Sequence, residues 1–270
     1  MTVEANEPYD PKAGRITLSA EGHVALIGVD RPGKLNGFNT RMLHEIGEAY
    51  TEFDRNEAYR CAVLYGVGDN FTAGLELDEV APFMMGRGSL APDGAVDPYN
   101  LRPPLRRKPV VCAVQGYCYT IGIELMLAAD IVVAAEGTRF SQLEVGRGIM
   151  ANCGATMRMV ERAGWGNGML HLLTGDEFGT EEALRCGFVQ MVVPTGEQLD
   201  KAKEIAATIA EQAPLAVQAT LSNARTSARD GLPAAVAELA GINARLRDTE
   251  DAAEGVASFK ERRKAVYKGR

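Results

Sequence analysis

The chain predicts an α/β core followed by an all-helical segment. Three observations carry this reading. Short apolar runs of strand length, at 24–29, 61–65, 110–114 and 131–135, alternate with stretches of helical spacing. From Gly196 onward nearly every stretch reads as helix, with breaks near Pro214, Gly231 and Asp248. Hydrophobic residues are 46 % and charged residues 24 % of 270, so the chain can bury a sizeable core. The division this predicts is an α/β core over 1–196 and a helical segment over 197–270.

Each element has its own signal. Residues 16–19 and 24–29 are strand-like runs around Glu21-Gly22, a hairpin signal. Asn39 is the cap residue for a helix to about Arg55, with Met42, Ile46, Tyr50 and Phe53 at helical spacing. The run at 61–65 reads as a buried strand closed by Gly66 and Gly68, and Ala73-Gly74 as a turn before a helix near Leu75. Residues 86–104, rich in Gly and Pro, read as a loop, and 110–114 as the next strand. A short helix is expected over 121–129 and a strand over 131–135. A strand over 140–145, helices over 153–162, 168–173 and 180–185, and a strand over 188–193 ended by Pro194 complete the core. No internal repeat is present.

Composition excludes several functions. Lys plus Arg number 29 against 36 Asp plus Glu, a net charge of −7, so a nucleic-acid partner is not expected. The longest apolar run, 121–129, is too short to cross a bilayer and contains an acid. Residues 1–14 have neither a cationic start nor an apolar stretch, so no signal peptide is predicted and a cytoplasmic location is expected. The five cysteines show no CxxC spacing and read as free buried thiols. His23, His44 and His171 have no ligand-type company at metal spacing, so no metal site is predicted. Gly146-Arg147-Gly148-Ile149-Met150-Ala151 fits G-x-G-x-x-A, but no second strand ending in an acid follows, so a dinucleotide site is not expected.

Two carboxylates stand out. Glu124 is the sole acid in Ile121-Gly122-Ile123-Glu124-Leu125-Met126-Leu127-Ala128-Ala129, so it is either ion-paired or a titratable acid in a dry pocket. Glu144 precedes the Gly146/Gly148 turn. Two such acids around one site can act as acid and base in adding or eliminating water. Glycine-bearing turns, Ala73-Gly74-Leu75 and Thr120-Ile121-Gly122, precede a helix each and could present free N–H groups to a developing oxyanion.

At these residues the chain resembles the enoyl-CoA hydratase/isomerase (crotonase) superfamily. Arg31-Pro32-Gly33-Lys34-Leu35-Asn36 is similar to its R-P-x-x-x-N block, and Phe71-Thr72-Ala73-Gly74-Leu75-Glu76-Leu77 to its F-x-x-G-x-D-L turn. Lys108 to Gly116 resembles K-P-V-I-A-A-V-x-G, and Gly116 to Leu125 resembles G-x-x-x-G-G-G-x-E-L. Further blocks follow in order to Ser258-Phe259-Lys260-Glu261-Arg262-Arg263. The resemblance implies a crotonase-like spiral of ββα units, with the helical segment in the interface of a homotrimer or of a hexamer built from two trimers. It implies that the N–H groups of Leu75 and Ile121 form an oxyanion hole for an acyl-CoA thioester. Glu144 would then be the main proton donor or base, and Glu124 its partner activating water. Lys34, Leu35, Ala73, Gly74, Gly122, Asn152 and Arg262 would contact CoA or the acyl group. No separate cofactor is implied, since coenzyme A is part of the substrate. Two retained acids favour hydration over double-bond isomerisation and over a non-catalytic acyl-CoA-binding role; the next reading is an isomerase or another crotonase-type hydrolase or lyase on a specialised acyl-CoA, which the altered Thr120-Ile121-Gly122 turn favours.

Three positions depart from the family pattern. Thr120-Ile121-Gly122 replaces a triple glycine, Glu76 replaces Asp, and Ala151-Asn152-Cys153-Gly154-Ala155 replaces P-G-A-G-G. The altered turn can narrow the acyl pocket, and Asn152 adds a polar group there. A polar, branched or otherwise specialised acyl group is therefore expected.

Overall fold

The computed structural model describes residues 12–84 and 92–270. Its first strands, β1 (Arg15–Glu21) and β2 (Val24–Asp30), form the expected hairpin, antiparallel from Arg15 opposite Asp30 to Glu21 opposite Val24. The helix α1 (Thr40–Arg55) begins where expected, because the Asn39 side chain accepts from the Met42 N–H at 2.9 Å. Its Met42, Ile46, Tyr50 and Phe53 are buried, as their spacing requires. Then come β3 (Cys61–Gly66), α2 (Leu77–Met84), β4 (Val110–Val114), β5 (Tyr117–Tyr119), α3 (Ile121–Ala128), β6 (Ile131–Ala135) and β7 (Arg139–Ser141). The helices α4 (Ala155–Ala163), α5 (Trp165–Thr174) and α6 (Thr180–Arg185) lead to β8 (Met191–Val193). The remainder is α7 (Gln198–Ala210), α8 (Pro214–Asp230), α9 (Leu232–Arg247) and α10 (Glu250–Glu261).

Six strands form one sheet in the order β1-β2-β3-β4-β6-β8, parallel except at the first pair. Parallel strands covered on both faces read as unbroken apolar runs, which is why β2 and β4 are buried at every residue. One face carries Ala25, Ile27, Leu64, Cys112 and Val114 into the larger core with α1 and α3. The other carries Leu26, Val63, Val111 and Val133 against Ala202, Ala206 and Ala210 of α7. Three alanines in register let that helix approach the strands closely.

The differences from the sequence expectations have local causes. β5 and β7 form a separate parallel pair, Tyr117 opposite Arg139 to Tyr119 opposite Ser141, and neither was expected at that length. The chain then turns into a 3-10 helix over Glu144–Arg147 instead of continuing a strand to Val145. The last strand starts at Met191 because the Phe188 N–H turns back to the Ala183 carbonyl at 2.8 Å. The expected loop at 86–104 lies partly outside the described residues; 92–104 carries no helix or strand.

One buried ion cluster joins the tail to the core. Arg106, 2 % exposed, donates to both Asp130 oxygens at 2.7 and 3.1 Å and to the Lys108 and Ala128 carbonyls at 2.7 and 2.6 Å. Arg225 of α8 adds bonds to Asp130 at 3.1 Å and to the Arg106 carbonyl at 2.6 Å. Burial alone would raise the Asp130 carboxyl, but the Arg106 guanidinium overrides it and holds Asp130 below its ordinary value. Asp130→Ala leaves Arg106 buried without its partner. It should cost about 3–5 kcal/mol of unfolding free energy, measured by urea denaturation.

Candidate active site

Two chain segments, each holding one main-chain N–H without a main-chain acceptor among the described residues, line a common cavity. The first is the turn at 72–76. The Thr72 hydroxyl donates to the Asn36 carbonyl at 2.7 Å and accepts from the Gly74 N–H at 3.1 Å. A one-residue bridge then forms: the Phe38 N–H donates to the Gly74 carbonyl and the Glu76 N–H to the Phe38 carbonyl, both at 2.8 Å. Extended backbone alternates its polar groups, so the N–H of Leu75 between them faces away from Phe38. The second segment is the entry to α3. The Thr120 N–H donates to the Ser141 carbonyl of β7 at 2.9 Å, and Ile121 opens the helix. The first N–H groups of a helix have no internal acceptor. Among the described residues, neither the Leu75 nor the Ile121 N–H has a main-chain acceptor.

Leu75, Ile121, Glu124, Glu144, Asn152 and Cys153 all line one cavity of about 260 Å³. Glu124 sits one turn inside α3, a helix buried along its full length, and is itself 3 % exposed. Among the described residues it has no ion-pair partner. Its Oε1 accepts the Cys153 N–H at 2.6 Å and the Ala155 N–H at 3.3 Å. These bonds explain why α4 starts at Ala155, two residues later than the sequence pattern suggests. Burial pushes the Glu124 carboxyl up to about 7, with the neighbouring Glu144 adding to the rise and the two N–H bonds opposing it. Glu144 enters from the 3-10 turn after β7 and is also raised by burial. With its amide nitrogen turned inward, the buried Gln142 donates to both Glu144 oxygens at 3.0 and 3.2 Å.

The other expected site residues fall into four groups. Ala73 and Asn152 line the cavity with Leu75, Ile121, Glu124 and Glu144. Lys34 and Leu35 stand beside it, since the Ala73 N–H donates to the Leu35 carbonyl at 2.9 Å and Lys34 lies 3.8 Å from Glu76. Gly74 and Gly122 lie behind the wall. A Cβ on Gly74 would meet the Thr120 hydroxyl at 2.6 Å, and one on Gly122 would meet Thr72 Cγ2 at 2.7 Å, so both serve close packing of the two turns. Arg262 caps α10 in a left-handed conformation and is not among the residues lining the cavity.

Some participants were missed in the sequence. Gln142 and the N–H groups of Cys153 and Ala155 give no pattern signal. Thr120 carries φ +49° and ψ −114°, a conformation costly for a β-branched residue, and its hydroxyl is buried without a partner. The glycine expected there by family resemblance would adopt it freely.

Comparison with known proteins identifies a family and a fold. The family model described as enoyl-CoA hydratase/isomerase matches residues 19–270. Carnitinyl-CoA dehydratase of Proteus mirabilis is 32 % identical over 263 residues, covering 94 % of this chain and 98 % of that one. The enzyme of that name from Escherichia coli is 33 % identical over 261 residues with the same coverage. Among solved structures, a probable enoyl-CoA hydratase/isomerase from Mycobacterium abscessus superposes with TM-score 0.91 at 47 % identity, covering 94 % of this chain and 98 % of that one. An enoyl-CoA hydratase from Mycobacterium tuberculosis gives 0.84 at 31 % identity, covering 97 % and 100 %.

The raised Glu124 carboxyl makes stability depend on pH. An acid whose folded pKa exceeds its unfolded value favours folding when protonated. That contribution is lost as pH rises from about 4.5 to about 7. Glu124→Gln should therefore melt higher than wild type at pH 8, by at most about 3 kcal/mol of stability, and the gap should close near pH 4.5. Calorimetry at the two pH values checks this.

Proposed function

The chain belongs to the enoyl-CoA hydratase/isomerase family, and from that premise we propose that it is a hydro-lyase interconverting a 3-hydroxyacyl-CoA and its 2-enoyl-CoA. The observation that carries this reading is the convergence of two raised carboxyls and two free N–H groups on one cavity. The thioester oxygen would accept from the Leu75 and Ile121 N–H groups, which hold the negative charge as the C2 proton leaves. In the dehydration direction Glu144, ionised, takes that C2 proton. Glu124, protonated, gives its proton to the C3 hydroxyl, which departs as water while the C2–C3 double bond forms. Hydration reverses each transfer. Burial raises the Glu124 carboxyl to about 7, which suits the acid role in dehydration. The pair holds one proton in its working form.

Family membership supports an acyl-CoA substrate, and the polar side chains set in a mainly apolar lining support a specialised acyl group. Asn152, Asp78 and Thr120 face a cavity that a straight alkyl chain would leave unpaired. Relatives named carnitinyl-CoA dehydratase favour the same direction. Lys34, Leu35 and Ala73 are proposed to border the CoA nucleotide, and Arg262 to reach the CoA phosphate of an adjacent subunit, where its guanidinium suits the phosphate. Exposed Leu232, Val236, Val256 and Phe259 on α9 and α10 support burial of this segment in a trimer. Isomerisation requires a single acid, and the retention of Glu124 disfavours it.

A mass-spectrometric panel of acyl-CoA thioesters tests the substrate. A 3-hydroxyacyl-CoA with a polar chain should turn over at least about tenfold faster than 3-hydroxybutyryl-CoA; preference for the short alkyl chain would contradict the specialised reading. Glu144→Gln should lower kcat by about 10²–10⁴. For dehydration, kcat/KM should fall roughly tenfold per pH unit above about 7, as Glu124 loses its proton.

A further inference from the structure

We propose that His171, Glu182 and Cys186 form a binding site for a thiophilic divalent cation, zinc(II) above all, separate from the acyl cavity. The three come from two elements: His171 from α5, Glu182 from α6, and Cys186 from the C-cap of α6. The Glu182–Cys186 spacing places both on one side of that turn. Their ligand atoms lie within 4.8 Å of one another. His171 Nε2 is 3.3 Å from Glu182 Oε1, and Cys186 Sγ is 3.4 Å from the same oxygen. Nitrogen, oxygen and sulfur bound to one tetrahedral zinc stand about 3.3–3.6 Å apart, given bonds of roughly 2.0–2.3 Å. Two of the three pairs, those to the Glu182 oxygen, are therefore already at ligand spacing, and the third is within 4.8 Å.

A supporting shell is also present. The other ring nitrogen, Nδ1, lies 2.9 Å from Asp176 Oδ1, and the Thr174 hydroxyl donates to the same oxygen at 2.8 Å. A carboxylate holding the far nitrogen orients a metal-binding imidazole and fixes its tautomer. His171 and Cys186 are each 2 % exposed, while Glu182 is partly open, which leaves an approach for the ion. Phe178 packs on the His171 ring at 4.1 Å between centroids and keeps it in place.

A competitor stands in front. Arg185 donates to the two Glu182 oxygens at 2.5 and 2.6 Å, lies 3.6 Å from Cys186 Sγ and 3.3 Å from Asn167 Oδ1. Its side chain is 55 % exposed, so it can swing into solvent. On binding, the Cys186 thiol proton passes to solvent, the thiolate and the Glu182 carboxylate neutralise the ion, and Arg185 is released. Mixed N, O and S ligation suits zinc(II) over magnesium or calcium, which prefer oxygen alone.

The test titrates zinc(II) into the full, chelator-treated chain against a chelating dye. One zinc per chain is expected. Cys186→Ser and Glu182→Gln should each weaken it at least tenfold, and Asp176→Asn about 10–100-fold. Arg185→Ala should tighten it, whereas a mere hydrogen-bonded cluster gives no such gain. Cobalt(II) should produce a thiolate-to-metal charge-transfer band that Cys186→Ser abolishes. Melting curves taken in chelator show whether each variant is folded, and Arg185→Ala, at an exposed position, keeps the test decisive if Cys186→Ser fails to fold. Absence of one-to-one binding, or binding that survives both Cys186→Ser and Glu182→Gln, overturns the proposal.

Discussion

The site depends on one constraint: a carboxylate held inside a fully buried helix by main-chain donors instead of by a cation. Glu124 occupies α3 because the Cys153 and Ala155 N–H groups reach it from the start of α4. An arginine there would pin the acid as a permanent anion, as Arg106 does to Asp130 a few residues later. Two amide donors in a dry setting leave it free to carry a proton near neutral pH. The same contacts set where α4 begins, so folding and chemistry share these two hydrogen bonds.

The rest of the architecture brings Glu144, Leu75 and Ile121 to the cavity that Glu124 lines. The small β5–β7 pair makes this possible. Its Ser141 carbonyl fixes the Thr120 turn that presents Ile121, and its continuation carries Glu144 into the cavity. The Thr72 to Cys118 bridge ties the other turn to the same pair. Gly74 and Gly122 let the two turns pack without side chains between them. Thr120, in a backbone conformation suited to glycine, is the strained member, and such strain is retained where surrounding structure over-determines it.

Much of this was legible in the sequence because it is local. The runs at Val110–Val114 and Ile131–Ala135 are strands at those bounds, and Thr180–Arg185 is a helix. Glu124 was legible because an acid among eight apolar residues contradicts its surroundings. What escaped was non-local. β5 and β7 are three residues each, too short to show a period, and they pair across twenty-two positions. Gln142 facing Glu144 depends on a side-chain orientation that no spacing records. His171 was read as isolated since its partners lie five and eleven positions away, and only the α5–α6 turn gathers them.

A structure of the chain with acetoacetyl-CoA, whose enolate resembles the charge-bearing intermediate, tests the central claim most directly. The thioester oxygen should lie about 2.7–3.1 Å from both the Leu75 and Ile121 nitrogens, with Glu124 and Glu144 flanking C2 and C3. An oxygen bound elsewhere, or carboxylates on the same side away from those carbons, would contradict the account.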